Sequence, residues 1–216
     1  WGTKYLTFGT ANSTSNTLYN SNKWRVMVKD PTTVVRRNGV IINPATLVVP
    51  GNYYEFGVTG GSGTSTASYI ESDKPVMVAQ YMLSTSGGDC PGLAAPTGNG
   101  DPEVMYISPI EQGIKRAVFY STNQSAITAN YINVVLPTAG LTSLRIDGVA
   151  TFTDVFAHPG LPGYSSVRHN LGGAAGQHTI QCDSAFNAIT YGLGSVESYG
   201  YNAGTLVKNL SALPTF

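Results

Sequence analysis

Apolar and polar residues alternate along much of this chain with a period of two, the spacing that turns one face of a β-strand towards a core. Residues 24–29 show the pattern most clearly, with Trp24, Val26 and Val28 on the apolar side. No window keeps the period of an α-helix over three turns, because Gly or Pro interrupts most candidates. The pattern therefore predicts an all-β protein.

Two dipeptides that favour tight turns separate short strand-like segments. Asn38-Gly39 joins residues 34–37 to residues 40–42, and Asp147-Gly148 takes the same place before residues 149–152. Asn, Asp and Gly tolerate the positive φ that a two-residue hairpin turn requires. We therefore expect a β-hairpin at each site.

The second hairpin belongs to a wider repeat. Tyr54 matches Tyr164, Asp73 matches Asp183 and Tyr81 matches Tyr191, each pair 110 positions apart (164−54, 183−73 and 191−81). A period this long is too large for a solenoid repeat. We interpret it as an internal duplication of one β unit, with related halves at about residues 1–110 and 111–216 of a single domain.

Two long apolar segments, residues 75–83 and 186–193, occupy equivalent places in the two halves. Because they are apolar on both faces, we predict that they are central strands covered on two sides. Segments rich in Gly, Ser and Pro separate the predicted strands. Together these features predict a β-sandwich-type architecture built from two internally duplicated β units.

The charge balance argues against two classes of partner. Twelve basic and twelve acidic residues give no net charge, and they form no basic stripe of the kind that binds nucleic acid. No apolar run reaches the roughly 18 residues that membrane insertion requires. Ser, Thr, Asn and Gly fill the exposed positions, which favours recognition through hydrogen bonds.

Sequence motifs give no support to catalysis, a metal site or a cofactor. Ser62 and Ser195 lie next to Gly but lack the G-x-S-x-G spacing of a nucleophile elbow. His158, His169 and His178 lack the spacing of a preformed metal pair. We therefore expect no enzyme activity, no metal and no cofactor, while a catalytic triad or a carboxylate pair assembled from distant residues stays open.

The longest segment rich in Gly and Pro, residues 84–102, is a candidate binding loop, because long loops in compact domains often carry function. Its acidic residues lack the ladder of a calcium loop. Tyrosines, including Tyr53 and Tyr54, offer a second kind of contact, since their rings can stack on sugars. We favour the alternative that they cap the ends of the sandwich. The predicted binding residues are Asp89, Asn99, Asp101, Tyr199 and Tyr201.

The two cysteines, Cys90 and Cys182, lack zinc-site spacing. Cys90 follows one predicted central strand and Cys182 precedes the equivalent strand of the other half. If these strands run antiparallel near the symmetry axis, the two thiols meet. We predict a disulfide between the halves, as the polar surface suggests an oxidising exterior; two buried unpaired thiols are the alternative.

Several strings of residues, taken in order, resemble the IgGFc-binding protein N-terminal domain family. They are residues 1–5, 69–81, 100–112, 131–135 and 194–204. That family occurs at the front of a secreted mucus protein of animals and in large bacterial surface proteins. The resemblance implies an extracellular, non-enzymatic recognition or adhesion module, here of the bacterial cell-surface type. It maps no binding residue onto this chain.

We favour a cell-surface adhesion module that binds a glycan or glycoprotein on another cell or in secreted material. The module is expected to be part of a larger surface protein, with residues 84–102 and neighbouring loops as its recognition surface. A structural spacer and a glycan-acting hydrolase are the alternatives. The chain has no coiled-coil heptads that would indicate a particular oligomer, so homo-oligomerisation stays open.

Overall fold

A computed structural model describes residues 1–15, 17–42, 52–84 and 98–206. The strands of the first half are β1 Gly2–Thr7, β2 Leu18–Tyr19, β3 Asn22–Val28, β4 Val35–Arg37, β5 Val40–Ile41, β6 Tyr53–Val58, β7 Gly61–Ser62, β8 Ser68–Met82 and β9 Glu103–Ile107. Those of the second half are β10 Ile114–Ser121, β11 Ile127–Pro137, β12 Arg145–Ile146, β13 Asp154–Ala157, β14 Tyr164–Gly172, β15 Gly176–Gly194 and β16 Glu197–Gly204. Short 3-10 turns include Gly63–Thr66, Ile110–Gln112 and Thr138–Thr142. In these ranges no helix has the length and apolar character to span a membrane.

The strands form two seven-stranded antiparallel sheets and one small two-stranded sheet. In the first sheet the order is β5-β4-β8-β3-β6, with β1 and β9 also paired to β8. In the second sheet it is β10-β15-β11-β14-β13, with β12 and β16 also paired to β15. The architecture confirms the predicted all-β, sandwich-type fold, and the two apolar segments lie in the central strands β8 and β15.

The two large sheets share one pairing scheme. The pairs β1–β8, β3–β8, β3–β6, β4–β8 and β8–β9 correspond to β10–β15, β11–β15, β11–β14, β12–β15 and β15–β16. The register is also kept, since Val26 lies opposite Val78 and Val134 lies opposite Ala188, offsets of 108 (134−26) and 110 (188−78). This agreement supports the interpretation of an internal duplication.

Each half also encloses its own core. The first core contains Trp24, Val26 and Val28 of β3, and the second contains the residues 108 positions later, Ile132, Val134 and Leu136 of β11. In both halves side chains from the two ends of the central strand meet in the same core, as Ile70 and Val78 of β8 do. The long central strand of each half therefore contributes residues to both layers of its sandwich.

The two predicted turns attach to the central strands in the same way. Asn38 and Asp147 have positive φ angles of 49° and 50°. The side-chain Oδ1 of Asn38 accepts a hydrogen bond from the N–H of Tyr69 at 2.8 Å, and Oδ1 of Asp147 accepts one from Thr179 at 2.7 Å. The position thus demands both a left-handed backbone and a side-chain acceptor, which explains why it is Asn in one half and Asp in the other.

Two sequence interpretations differ from the structure. Residues 149–152 were predicted to be a strand, but only Val149 forms a bridge, to Ile146; residues 149–151 are exposed, and Phe152 alone packs against the core. Tyr54 and Tyr164 do not occupy equivalent register. Tyr54 lies opposite Val26, whereas the residue opposite Val134, the equivalent of Val26, is Val167.

The two halves contact each other through surfaces that are not equivalent. Side chains of the first half, among them Leu6, Phe8 and Met105, cover the outer face of strands β11 and β15. On that face Val135 packs with Leu6 and Phe8, and Tyr191 packs with Met105. The outer face of the second sheet is therefore buried inside the molecule.

Candidate functional site

The structure gathers three of the predicted binding residues near one corner of the second half. The N–H of Asn99 donates to Ser13 Oγ at 2.7 Å, and its Nδ2 donates to Thr128 Oγ1 at 3.3 Å. The carbonyl of Asp101 accepts a hydrogen bond from Ser198 Oγ, beside Tyr199, at 2.7 Å. Asp89 and most of the proposed 84–102 loop lie outside the described residues. A binding role for this corner stays a prediction.

The predicted pair Tyr199 and Tyr201 stacks with ring centroids 6.1 Å apart. Tyr199 donates its hydroxyl to Asn130 Oδ1 at 2.7 Å, and burial raises its pKa to about 12. The hydroxyl of Tyr201 donates to the carbonyl of Tyr120 at 2.6 Å and accepts from the N–H of the same residue at 2.9 Å. The hydroxyl of Tyr199 is thus bonded within the protein, whereas Tyr201 exposes part of its ring at the surface beside Tyr120.

Cys182 lies within β15 and not before it, because this strand begins at Gly176. Its side chain is buried, and its Sγ lies 3.3 Å from the carbonyl oxygen of Gly140 and 3.4 Å from Ser143 Oγ. Cys90 lies outside the described residues. The Cys90–Cys182 disulfide stays a prediction.

A Ser–His–Asp arrangement, which the sequence had left open, forms in the second half. His178 Nε2 lies 2.9 Å from Ser121 Oγ, and Nδ1 lies 2.6 Å from Asp147 Oδ2. Ser121 Oγ also lies 2.9 Å from the carbonyl oxygen of Ala174. An imidazole that donates from Nδ1 to Asp147 accepts at Nε2, so the single proton of the Ser121 hydroxyl can go either to Nε2 or to the carbonyl of Ala174. The hydroxyl itself has no exposed surface.

The same arrangement has a structural use. Burial acts to raise the pKa of Asp147, but hydrogen bonds from His178 and Thr179 outweigh it and hold the pKa below its ordinary value. The resulting chain of contacts ties the second hairpin turn and the end of β10 to the central strand β15. Across the described ranges, no group of three or more His, Cys, Asp or Glu side chains is placed to hold a metal.

A different surface has the composition of a binding site. We call it the open face; it comprises Lys23, Arg25 and Met27 of β3, Tyr53 and Glu55 of β6, Met77 and Tyr81 of β8, and Val104 and Tyr106 of β9. These residues share one side of the sheet because they lie opposite each other across its ladders. Tyr53 is 43% exposed and Tyr106 is 58% exposed. Tyr, Met and Arg are among the residues that are enriched in protein interfaces.

Arg25 is the centre of the open face. Its guanidinium lies over the rings of Tyr53 and Tyr81, with Cζ 4.5 Å and 4.9 Å from the two centroids. Its Nε donates to Glu55 Oε2 at 2.7 Å, and its Nη1 donates to the hydroxyl of Tyr81 at 3.3 Å. Lys23 Nζ contacts the other oxygen of Glu55 at 2.8 Å. The arginine is therefore held in one position before any partner arrives.

Electrostatic coupling reinforces this arrangement. The hydrogen bond that Arg25 donates to Glu55 raises the pKa of Arg25, so the guanidinium stays charged. Burial acts to raise the pKa of Glu55, but hydrogen bonds from Lys23 and Arg25 outweigh it and hold the pKa below its usual range. The cluster therefore carries two positive charges and one negative charge at neutral pH.

The equivalent surface of the second half is buried inside the molecule. The counterparts of Lys23, Arg25 and Met27 are Tyr131, Asn133 and Val135, and all three are buried beneath the first half. No described residue of the chain covers the open face in this way. In the part of the chain that the structure describes, one copy of this face is thus left uncovered.

Sequence reasoning named Tyr53 as a candidate for stacking on sugars, named Tyr81 only as a repeat position, and did not identify Arg25. One signal was present, because Arg25 and Met27 alternate with the apolar residues of β3 and so face away from its core. The contacts with Tyr81 and Glu55 depend on the register of three strands, which the sequence pattern leaves undetermined.

Comparison with known proteins gives one match. The family model described as IgGFc binding protein matches residues 1–192, which include every residue of the open face. No curated protein and no solved structure matches this chain. The matched range covers the whole first half and ends within β15 of the second.

Proposed function

Because the chain belongs to the IgGFc-binding protein family of extracellular ligand-binding modules, we propose that it is a non-catalytic recognition and adhesion module. It acts at the cell surface, as part of a larger surface protein of the bacterial type. Its ligand is a protein or glycoprotein on another cell or in secreted material. The ligand binds through the open face.

The observation that carries this proposal is the position of Arg25 between two tyrosine rings. Buried Tyr and Arg side chains dominate the binding energy of protein interfaces. Binding loses free energy when mobile side chains must be fixed, and the contacts with Tyr53, Tyr81 and Glu55 fix this arginine in advance. The open face is therefore ordered as well as chemically suited to a protein partner.

The donor count of Arg25 also favours a partner that offers acceptors. A guanidinium has five N–H donors, and the described contacts with Glu55 and Tyr81 use one on Nε and one on Nη1. Backbone carbonyls, carboxylates and sugar hydroxyls can accept from the outward-facing donors. The methionines and Val104 beside them supply apolar contact area.

The test measures binding of the purified domain to intact cells, to secreted glycoproteins and to a glycan array. The variants are Arg25→Glu and Tyr81→Ala, and Arg36→Glu on β4, outside the open face, is the control. We expect the wild type and the control to bind alike and the two open-face variants to bind about 30-fold more weakly, the effect of losing about 2 kcal/mol at a hot spot.

Three outcomes contradict the proposal. Unchanged binding by Arg25→Glu and Tyr81→Ala would place the ligand elsewhere, with the Asn99 and Tyr199 corner as the next surface to test. No binding by the wild type would favour a structural spacer. Release of products from the glycans would establish a hydrolase.

A further inference from the structure

The interface between the halves has two unlike sides. One side, which we call the packing edge, consists of Leu6 on β1, Phe8 just after β1 and Met105 on β9, all of them buried. The other side is the outer face of β11 and β15, where Val135 and Tyr191 receive these side chains. Main-chain groups contribute as well, because Asn133 Nδ2 donates to the carbonyl of Gly9 at 3.0 Å and the N–H of Ala11 donates to the hydroxyl of Tyr191 at 2.8 Å.

The second half has its own version of the packing edge, and it is exposed. Leu6 lies opposite Tyr69 and Val118 lies opposite Thr179, which is the same place in register (69+110). Met105 lies opposite Gln80 and Tyr201 lies opposite Thr190 (80+110). By this register Leu6, Phe8 and Met105 correspond to Val118, Tyr120 and Tyr201. These three, the tyrosine edge, are 59%, 57% and 38% exposed.

The first half likewise has its own version of the receiving face, which is the open face. Asn133 corresponds to Arg25, Val135 to Met27 and Tyr191 to Tyr81. Among the described residues, each side of one interface therefore occurs twice, once paired inside the molecule and once unpaired at its surface. Two unpaired, complementary sides on one molecule are the requirement for heterologous, head-to-tail association.

We propose that a second copy of this chain docks its tyrosine edge onto the open face and so repeats between molecules the packing that joins the two halves. The inference rests on the proposed function, since it uses the same face and names a copy of the same fold as its protein partner. Because the two sides differ, each added copy leaves one tyrosine edge and one open face available. The association therefore extends beyond a dimer.

One hydrogen bond of the internal interface can be repeated in this docking. By the offset of β1 and β10, Asn123 corresponds to Ala11 (11+112). Because Asn123 is exposed, its N–H would donate to the hydroxyl of Tyr81 as that of Ala11 donates to the hydroxyl of Tyr191. Tyr81 thus keeps the phenol that accepts this bond.

The test is a complementation experiment in the analytical ultracentrifuge. Arg25→Glu disables the open face and leaves the tyrosine edge intact, whereas Val118→Asp disables the tyrosine edge and leaves the open face intact. We expect the weight-average mass of the wild type to rise with concentration above the monomer mass of 22.8 kDa. Each variant alone should stay monomeric, while their equimolar mixture should form a one-to-one dimer and nothing larger.

Arg36→Glu is the control and should associate as the wild type does. Tyr106→Asp, also on the open face, replaces Arg25→Glu if thermal melting shows that Arg25→Glu is unfolded. A wild type that stays monomeric up to about 1 mM, or a mixture that stays monomeric, overturns the inference. If the wild type is monomeric while Arg25→Glu still loses binding to cells, this inference fails and the proposed function stands. If copies associate but cells are not bound, self-association stands and adhesion fails.

Discussion

Tyr81 and Tyr191 occupy the same position in the central strands of the two halves, yet their surroundings differ. Tyr191 is fully buried; its hydroxyl accepts from Ala11 and donates to Asn133 Oδ1 at 3.1 Å. Tyr81 lies at the surface beside Arg25. The inner cores of the halves are built alike, so the difference comes from what covers the outer face. In a duplicated fold, the uncovered copy of an interface is the place to look for a partner.

The largest expected effect is a difference in folding stability between variants of these two tyrosines. Tyr191→Ala should lower the free energy of unfolding by about 3–5 kcal/mol, the usual cost of removing a large buried aromatic side chain. Tyr81→Ala should lower it by less than about 1 kcal/mol, because a partly exposed ring leaves no cavity. Urea denaturation of both variants measures the difference.

Tyr191→Phe provides the control, since it keeps the ring and removes only the hydroxyl that bonds Ala11 and Asn133. We expect it to cost about 1–2 kcal/mol. Equal destabilisation by Tyr81→Ala and Tyr191→Ala would mean that the two outer faces are covered to the same extent.

The second prediction concerns the pH dependence of the junction between the halves. His158 is buried, with Nε2 3.4 Å from the carbonyl of Thr7 in the first half and Nδ1 accepting from the N–H of Gly160 at 3.3 Å. Burial lowers its pKa from 6.5 to about 4. The unfolded chain therefore binds a proton between pH 6.5 and pH 4 that the folded chain does not bind, so stability should fall as the pH drops through this window.

The loss amounts to about 3 kcal/mol for a displacement of this size. Urea denaturation at pH 7.5, 5.5 and 4 measures it, and His158→Gln should flatten the profile because glutamine does not titrate. A wild-type profile that matches His158→Gln across this range would show that the histidine is not buried neutral at the junction.

The smallest effect tests the duplicated turns. Asn38→Ala and Asp147→Ala should each cost about 1–2 kcal/mol, since each removes an acceptor for a strand N–H and places alanine at positive φ. Asp147→Asn keeps the acceptor and removes the carboxylate charge that faces His178 Nδ1, so it should cost less than about 1 kcal/mol. Thermal melting ranks the three. A cost for Asp147→Asn as large as that of Asp147→Ala would show that the contact with His178, and not the hydrogen bond from the N–H of Thr179, holds the second turn.

Local patterns were sufficient for much of the fold. The alternation in β3 and the two turn dipeptides act over a few residues, so they could be read from the sequence directly. The relative register of β6 and β14 could not be predicted, because the match of Tyr54 with Tyr164 is a likeness of residues, whereas register is decided by the partner strand. Cys182 was placed before its strand for a similar reason, since β15 extends further than its apolar segment.

The candidate site was less accessible to sequence reasoning. Arg25, Glu55 and Tyr81 meet only because β6, β3 and β8 are neighbours in that order. Whether such a face is open depends on how the halves pack, which involves contacts about a hundred residues apart in sequence, such as Leu6 with Val135. The Asn99 and Tyr199 corner was predicted from composition, and its role in binding stays a prediction.

The most direct test of the central claim measures the reactivity of each tyrosine. Tyrosine-directed chemical labelling, followed by mass spectrometry, compares the free domain with the domain bound to its ligand cells or held at high concentration. We predict that Tyr53, Tyr81 and Tyr106 react in the free domain and become protected on association, while Tyr131 and Tyr191 stay unreactive throughout. Labelling of Tyr191 as readily as Tyr81, or no protection of the open-face tyrosines on association, would contradict the account.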